Sequence, residues 1–150
     1  MAISTGTKIV PLISSGTAGP LGVVHLPRLW SKITLDAVGA LPEGYHVVGS
    51  GFDALTLNNL GLDKDEVVTY VKTQRPTYPQ FEQWILKKKG GKLDPAMVKK
   101  HNETVLGYHH AADKAKHMRD DMGVAHSECT DAVTLNSLDD LHAFYKTIYG

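Results

Sequence analysis

Helix start and stop signals recur at short intervals along the chain and limit how long any helix can be. Pro27, Asp63 and Asp94 followed by proline are typical of helix starts, whereas Pro76 and Gly107 are typical of helix ends. An aspartate side chain accepts from free N–H groups of the first turn, proline fits that turn without losing a hydrogen bond, and glycine favours the backbone that ends a helix. The sequence therefore predicts several short helices.

Apolar residues between these signals recur at spacings of three or four, which is typical of helices with one buried face. We predict a mainly α fold, with six to seven short helices in a compact single domain over residues 1–150. At most a minor strand pair is expected, at the N-terminal segment or around residues 45–48. Residues 1–8 are the part expected to be disordered. A last helix is expected from a cap at Ser137 and Asp140, with its apolar face packed. That face comprises Leu141, Phe144, Tyr145 and Ile148.

Two distant segments resemble each other. Residues 53–60 (DALTLNNL) and 131–138 (DAVTLNSL) agree at six of eight positions. A local explanation is favoured, in which asparagine recurs because its side chain hydrogen-bonds a turn. The alternative is a pair of similar corners related by a pseudo-twofold axis.

Composition excludes several classes of partner. The chain has 16 Lys plus Arg against 16 Asp plus Glu and a formal net charge of zero, which argues against nucleic acid and membrane surfaces as partners. Cys129 is the single cysteine, so neither an intrachain disulfide nor a cysteine-based zinc site is expected. No apolar run approaches the length of a membrane span. We expect a cytoplasmic protein.

The eight histidines are the most informative polar residues. Tyr108, His109 and His110 are predicted to open a helix that runs to Met122, and all three are candidate catalytic residues. On that helix His110 shares a face with an acid that should raise its pKa, whereas His109 should lie nearer the core or a pocket. No metal is favoured. If one binds, its ligands would be His110, Asp113 and His117, at i, i+3 and i+7.

A second candidate region surrounds His25, which follows a glycine-rich loop and precedes the first helix. Its imidazole would be a catalytic base, or alternatively a helix-start residue bonded to the backbone. Arg28 is the candidate anchor for a substrate carboxylate, or alternatively a surface cation of the first helical turn. Tyr108 or Tyr78 would donate to a developing oxyanion. The candidate substrate-binding residues are Arg28, Trp30, Tyr45, His46 and Tyr78.

Covalent catalysis and cofactor binding are not expected from the motifs. The chain has no G-x-S-x-G elbow, and Cys129 lacks the glycine-rich helix start that would activate a thiol. Gly16, Gly19 and Gly22 fit neither a phosphate loop nor a dinucleotide fingerprint. We therefore expect an enzyme without a cofactor.

Four segments occur in an order that resembles a known bacterial family. They are residues 20–30 (PLGVVHLPRLW), 41–45 (LPEGY), 77–82 (TYPQFE) and 107–110 (GYHH). The chain resembles a family described only as a domain of unknown function, number five thousand and sixty-nine, from about residue 11 to residue 145. The resemblance implies a free-standing bacterial protein of about one domain and brings no catalytic assignment.

Two functions remain open from the sequence. The first is a small enzyme that uses His and Tyr side chains for proton transfer in a lyase, isomerase or hydrolase reaction on a small organic substrate. The second is a non-catalytic module that binds a small molecule or forms a homodimer. Convergence of His25 with residues 108–110 in one pocket would favour the enzyme.

Overall fold

The computed structural model of the protein describes residues 6–150, and these fold into seven α-helices. The helices are α1 Leu26–Ala37, α2 Phe52–Leu60, α3 Lys64–Gln74, α4 Tyr78–Lys88, α5 Pro95–Leu106, α6 Ala112–Asp121 and α7 Ala132–Tyr149. The predicted mainly α fold is confirmed. Within residues 6–150 the only β-type pairing is an isolated antiparallel bridge between His109 and Asp131.

Helix α1 is the centre of the larger core. It packs against α2, α3 and α4, and its Leu26, Leu29 and Ile33 are fully buried. Phe81 and Ile85 of α4 complete the opposite side of this core. Helix α5 connects the core to α7 by packing against both α2 and α7, and α6 packs on α7. This arrangement leaves a cleft beside α1, where the first half of the chain faces α7.

Most predicted helix starts are observed. Asp63 accepts a hydrogen bond from the N–H of Glu66 at 3.0 Å, and Asp94 caps α5. Thr77 and Gln80 form a reciprocal capping box at the start of α4, which was not predicted. Each cap satisfies N–H groups that the helix itself cannot bond. Short-range signals therefore determine these boundaries.

The predicted start of the last helix is wrong. Helix α7 begins at Ala132, and its cap is Asp131, whose carboxylate accepts from the N–H of Thr134 at 2.9 Å. Ser137 lies inside the helix. Asn58 and Asn136, the asparagines shared by the two similar segments, both lie inside helices. The explanation that asparagine recurs because its side chain hydrogen-bonds a turn is therefore also wrong.

The helix predicted over residues 108–122 is observed as α6, which begins four residues later than predicted, at Ala112. Residues 108–111 precede α6, and their backbone pairs with the segment before α7. The N–H of His110 donates to the carbonyl of Thr130 at 2.8 Å, and the N–H of Ala132 donates to the carbonyl of Tyr108 at 3.0 Å. These bonds satisfy the backbone groups that a first helical turn would leave free.

The expected packing of the last helix is also wrong. Leu141, Tyr145 and Ile148 are each more than half exposed, and Phe144 is 44% exposed. The predicted disorder of residues 1–8 falls mostly on residues 1–5, which lie outside the described residues. Lys8, at the end of that range, donates to the carbonyl of Gly39 at 2.9 Å.

Candidate active site

A cleft of about 430 Å³ lies between α1, the segment leading into α2 and one face of α7. His25 and Ser15 lie at its floor, and both are almost completely buried. The α7 wall consists of side chains at i, i+3, i+7 and i+10, which share one face of a helix. These are Asn136, Asp139, Ala143 and Lys146.

The floor is a continuous chain of side-chain hydrogen bonds. His25 Nε2 lies 2.6 Å from Asp53 Oδ1, and His25 Nδ1 lies 3.0 Å from Ser15 Oγ. The other carboxylate oxygen of Asp53 accepts from the Gly49 N–H at 2.7 Å and from the Lys32 ammonium. Every polar atom of this chain has a partner, as buried polar groups require.

The charges of these groups determine the tautomer of His25. Burial would raise the pKa of Asp53, but the hydrogen bond from His25 and the charge of Lys32 outweigh burial and lower that pKa to about 2. Burial lowers the pKa of His25 from its usual range. An ionised Asp53 can only accept, so Nε2 carries the proton and donates to it. Nδ1 of the neutral ring then accepts from the Ser15 hydroxyl.

His25 occupies a backbone conformation that few side chains adopt. Its φ is 71°, in the left-handed region, and it is the residue directly before α1. This conformation typically costs a non-glycine residue about 1–2 kcal/mol of folding free energy, and it persists only where the surrounding structure holds the residue in place. Here the His25 N–H donates to the carbonyl of Thr17 at 3.1 Å, while the side chain makes no cap to α1. The ring is therefore directed at Ser15 and Asp53 instead of the helix.

Arg28 lines the cleft, but its guanidinium is already committed to the protein. It binds both oxygens of Asp140, at 2.6 and 3.1 Å, and donates to the carbonyls of Pro11 and Ile13 at 2.9 Å each. Tyr45 donates to Asp140 at 2.9 Å. Arg28 and Tyr45 thus fasten α7 and the N-terminal segment to α1.

Asp139 and Lys146, two ionisable residues on the α7 wall, form no ion pair like that between Arg28 and Asp140 within the part of the chain that the structure describes. Partial desolvation and the charge of the adjacent Asp140 raise the pKa of Asp139. Lys146 makes no ion pair with any residue of the range 6–150. His142 lies between them and also lines the cleft. Asp139, His142 and Lys146 share the cleft lining with His46 and Gly49 of the segment before α2.

Tyr108, His109 and His110, the other candidate catalytic residues, lie beside the cleft and do not line it. The expected convergence of these residues with His25 in one pocket is therefore not observed. The Phe52 ring is in edge contact with His25 on one side and Tyr108 on the other, at centroid distances of 5.6 and 5.7 Å. Tyr108 contacts His110 at 5.8 Å. We call residues 108–110 the second histidine corner.

The expected roles of the two corner histidines are reversed. His109 is exposed and bonds Thr130 Oγ1 at 2.9 Å, whereas His110 is half-buried and its Nε2 has no hydrogen-bond partner among the described residues. Burial lowers the pKa of His110, and the charge of Lys114 lowers it further, so the predicted rise from Asp113 does not occur. The helical phase used for that prediction does not apply, because both residues precede α6.

Trp30 and Tyr78 are the predicted substrate-binding residues that the structure places elsewhere. The Trp30 indole N–H donates to the carbonyl of Pro76 at 3.2 Å, and the Tyr78 hydroxyl donates to Glu82 at 2.7 Å. Their rings meet at 5.7 Å between α1 and α4. His25, Arg28, Tyr45 and His46 are the predicted site residues that line the cleft.

Several cleft residues were missed by sequence reasoning. The clearest are Ser15, Lys32, Asp53, Asp139, His142 and Lys146. One signal did mark the region, because Asp53 and Asn136 both belong to the two similar segments. Within residues 6–150 no group of three or more His, Cys, Asp or Glu could hold a metal, so His110, Asp113 and His117 do not form a ligand set.

A family model described as a domain of unknown function matches residues 14–143, which include every cleft residue except Lys146. The chain belongs to the DUF5069 family. No curated protein and no solved structure matches it. None of the helices in residues 6–150 has the length and apolar character needed to cross a membrane. The chemistry of this DUF5069 protein must therefore be argued from the cleft.

Proposed function

We propose that this protein is a small cytoplasmic enzyme that carries out acid–base chemistry on a small organic substrate without a cofactor. The reaction is of the hydrolase, lyase or isomerase type. The observation that carries the proposal is the Ser15–His25–Asp53 hydrogen-bond chain at the floor of a cleft. A strained, buried histidine oriented by a carboxylate is the usual arrangement of a general base.

The electrostatics of the floor suit this role. His25 is neutral near pH 7 because burial lowers its pKa, so Nδ1 is free to accept a proton. Asp53 stays ionised and stabilises the imidazolium that forms during the reaction. Lys32 holds Asp53 in place from its other oxygen.

The α7 wall supports recognition of a carboxylate on the substrate. Arg28 was the predicted anchor, but its bonds to Asp140 leave it little capacity for a ligand. Lys146 lines the cleft without an ion pair and takes that role in our proposal. His142, one turn before it, is the nearest second donor.

A paired substitution tests the base. Hydrolysis, elimination and isomerisation of small carboxylate-bearing compounds are measured for the wild type, His25→Gln and His126→Gln, the last being an exposed histidine that does not line the cleft. Loss of the base should lower the rate by a factor of about 10² to 10⁴. The His126 variant should match the wild type. Equal rates for all three proteins, with His25→Gln still folded, would remove His25 from the mechanism.

A homodimer is the second candidate function, and one surface favours it. Leu141, Tyr145 and Ile148 lie on the side of α7 that faces away from the cleft, and all three are exposed. Light scattering at two concentrations tests it with Ile148→Glu and, as control, Val38→Glu at a separate exposed apolar site. The dimer should dissociate only in the Ile148 variant. A monomer at both concentrations for the wild type would dismiss this candidate.

A further inference from the structure

Ser15 occupies a position in the cleft that its neighbour Ser14 does not. The Ser14 hydroxyl accepts from the N–H of Gly16 at 3.0 Å, and the Ser14 carbonyl accepts from the N–H of Thr17 at 3.1 Å. Ser14 therefore forms the turn. Ser15, at its corner, places its hydroxyl on His25 Nδ1 and lines the cleft.

The turn is held rigidly at both ends. A side chain at Gly16 would lie 3.3 Å from Val133 and 3.4 Å from Leu106, so the turn packs closely against α7 and α5. The Thr17 carbonyl, directly after it, accepts from the backbone N–H of His25. The distance between Ser15 Oγ and the imidazole is thus determined by packing and by backbone bonds on both partners.

We propose that Ser15 is a nucleophile and that the substrates are carboxylic esters or thioesters with a small acyl group. This inference rests on the proposed function of the cleft as an active site. It follows from three groups in one hydrogen-bonded line: a serine hydroxyl that donates to a neutral imidazole, and an imidazole that donates to a carboxylate. The same three groups activate serine in unrelated folds. In this protein the two ring nitrogens are exchanged, because Nδ1 faces the serine and Nε2 faces the carboxylate.

The reaction balances with water as the second substrate. Ser15 Oγ bonds to the acyl carbon while its proton moves to His25 Nδ1. The bond from that carbon to the alcohol or thiol then breaks, and the leaving group takes the proton from His25. Water, deprotonated by the same nitrogen, next adds to the Ser15 ester. The carbon–Oγ bond breaks, the proton returns to Ser15, and the carboxylic acid leaves.

The developing oxyanion needs donors near the acyl carbon. Helix α1 begins at the residue after His25, and no side chain caps it. Its first-turn N–H groups at Leu26 and Arg28 carry the positive end of the helix dipole. In this proposal the oxyanion donors are the N–H groups at the start of α1, which directly follows His25 in the chain.

The test uses a fluorophosphonate, which phosphonylates activated serines and releases fluoride without requiring knowledge of the substrate. Intact-mass spectrometry should show one adduct on the full chain, and peptide mapping should place it on Ser15. Ser127→Ala, at an exposed serine outside the cleft, should label as the wild type does, whereas Ser15→Ala should not label. Asp53→Asn should slow labelling by at least about a factor of 10² if the oriented base is required.

Two results would overturn the nucleophile. The first is that the wild type stays unlabelled, or that its adduct maps to a residue other than Ser15. This result can be interpreted without any variant. The other is a folded Ser15→Ala protein that keeps the His25-dependent rate on the substrate panel. That second result leaves the acid–base site standing, so it is distinct from loss of the proposed function, which would appear as rates insensitive to His25.

Discussion

The floor of the cleft and the second histidine corner each place an aspartate of the similar segments near a histidine, but the aspartates act differently. Asp131 is the cap of α7, and its carboxylate bonds the N–H and hydroxyl of Thr134. Asp53 occupies the second position of α2, after Gly51 has taken the cap position, so its carboxylate is free to bind His25 and Lys32. A shift of two residues in the helix start thus separates an aspartate that caps a helix from one that orients a buried histidine.

The histidines differ accordingly. Both ring nitrogens of His25 are hydrogen-bonded, whereas Nε2 of His110 is buried without a partner among residues 6–150. Burial lowers the pKa of both histidines. His25 is hydrogen-bonded directly to the Asp53 carboxylate, whereas the Asp131 carboxylate acts on His110 only through its charge. His25 is therefore the histidine whose ring is oriented by a direct hydrogen bond to a carboxylate.

The largest effect should come from removing the aspartate of the floor. Asp53→Ala leaves the Lys32 ammonium buried without its partner, which typically costs about 3–5 kcal/mol in the free energy of unfolding. Asp131→Ala, the matched change in the other segment, should cost only about 1 kcal/mol, the usual value of a helix cap. Urea denaturation of both variants measures this. Similar losses would erase the distinction between the two aspartates.

Acid should destabilise the protein in two stages. A histidine whose pKa is lower in the folded state binds its proton more readily when unfolded, so stability is complete above pH 6.5 and falls as the pH drops below it. Each unit of depression corresponds to about 1.4 kcal/mol. Asp53 adds a second loss below its ordinary pKa of 3.8 towards about pH 2.

The first stage separates the two regions. Between pH 7.5 and pH 5, His25→Gln should reduce the fall in melting temperature, because the group that binds the extra proton is gone. His110→Gln should reduce it less, because that ring is less buried. A larger effect from His110 would mean that the corner, and not the floor, controls acid sensitivity.

Replacing the corner histidine, His110, should stabilise the fold, whereas replacing the floor histidine, His25, should destabilise it. His110→Phe removes a buried nitrogen that lacks a partner and keeps a planar ring, so we expect a gain of about 1 kcal/mol. His25→Phe breaks two hydrogen bonds and leaves Asp53 Oδ1 without its donor, and should destabilise the fold. Thermal melts of the two variants should therefore move in opposite directions.

The smallest effect concerns the start of α7. Ser137 lies inside the helix, so Ser137→Ala should change the free energy of unfolding by less than about 0.5 kcal/mol. Asp131→Ala should exceed it, because Asp131 makes the cap. The reverse order would restore the boundary that the S-x-x-D pattern predicted.

The sequence predicts those parts of the fold that depend on neighbouring residues. The caps at Asp63 and Asp94 each join groups two or three residues apart, and these boundaries are observed. Residues 108–111 do not become helical because their backbone pairs with residues 130–132, some 20 residues away along the chain. No local pattern contains that partner.

The site was harder to predict for the same reason. Asp53 lies 28 residues after His25 in the chain, and Ser15 lies 10 residues before it. The three side chains meet only because α1 packs against α2 and because the turn at residues 14–17 is bonded to His25. Sequence reasoning found His25 from its place before a helix. It overlooked Ser15, because without G-x-S-x-G nothing in the pattern distinguishes it from Ser14. It also assigned Arg28 to a ligand, since its partner Asp140 lies 112 residues away.

The state of the His25 ring tests the account most directly. Long-range ¹H–¹⁵N NMR of the full chain, assigned with His25→Gln, reports which nitrogen carries the proton and at what pH the ring is protonated. We predict a proton on Nε2, a lone pair on Nδ1, and a ring that titrates below pH 6.5, with Asp53→Asn altering both signals. A proton on Nδ1 at neutral pH, or a pKa at or above 6.5, would contradict the role of His25 as a neutral base oriented by Asp53.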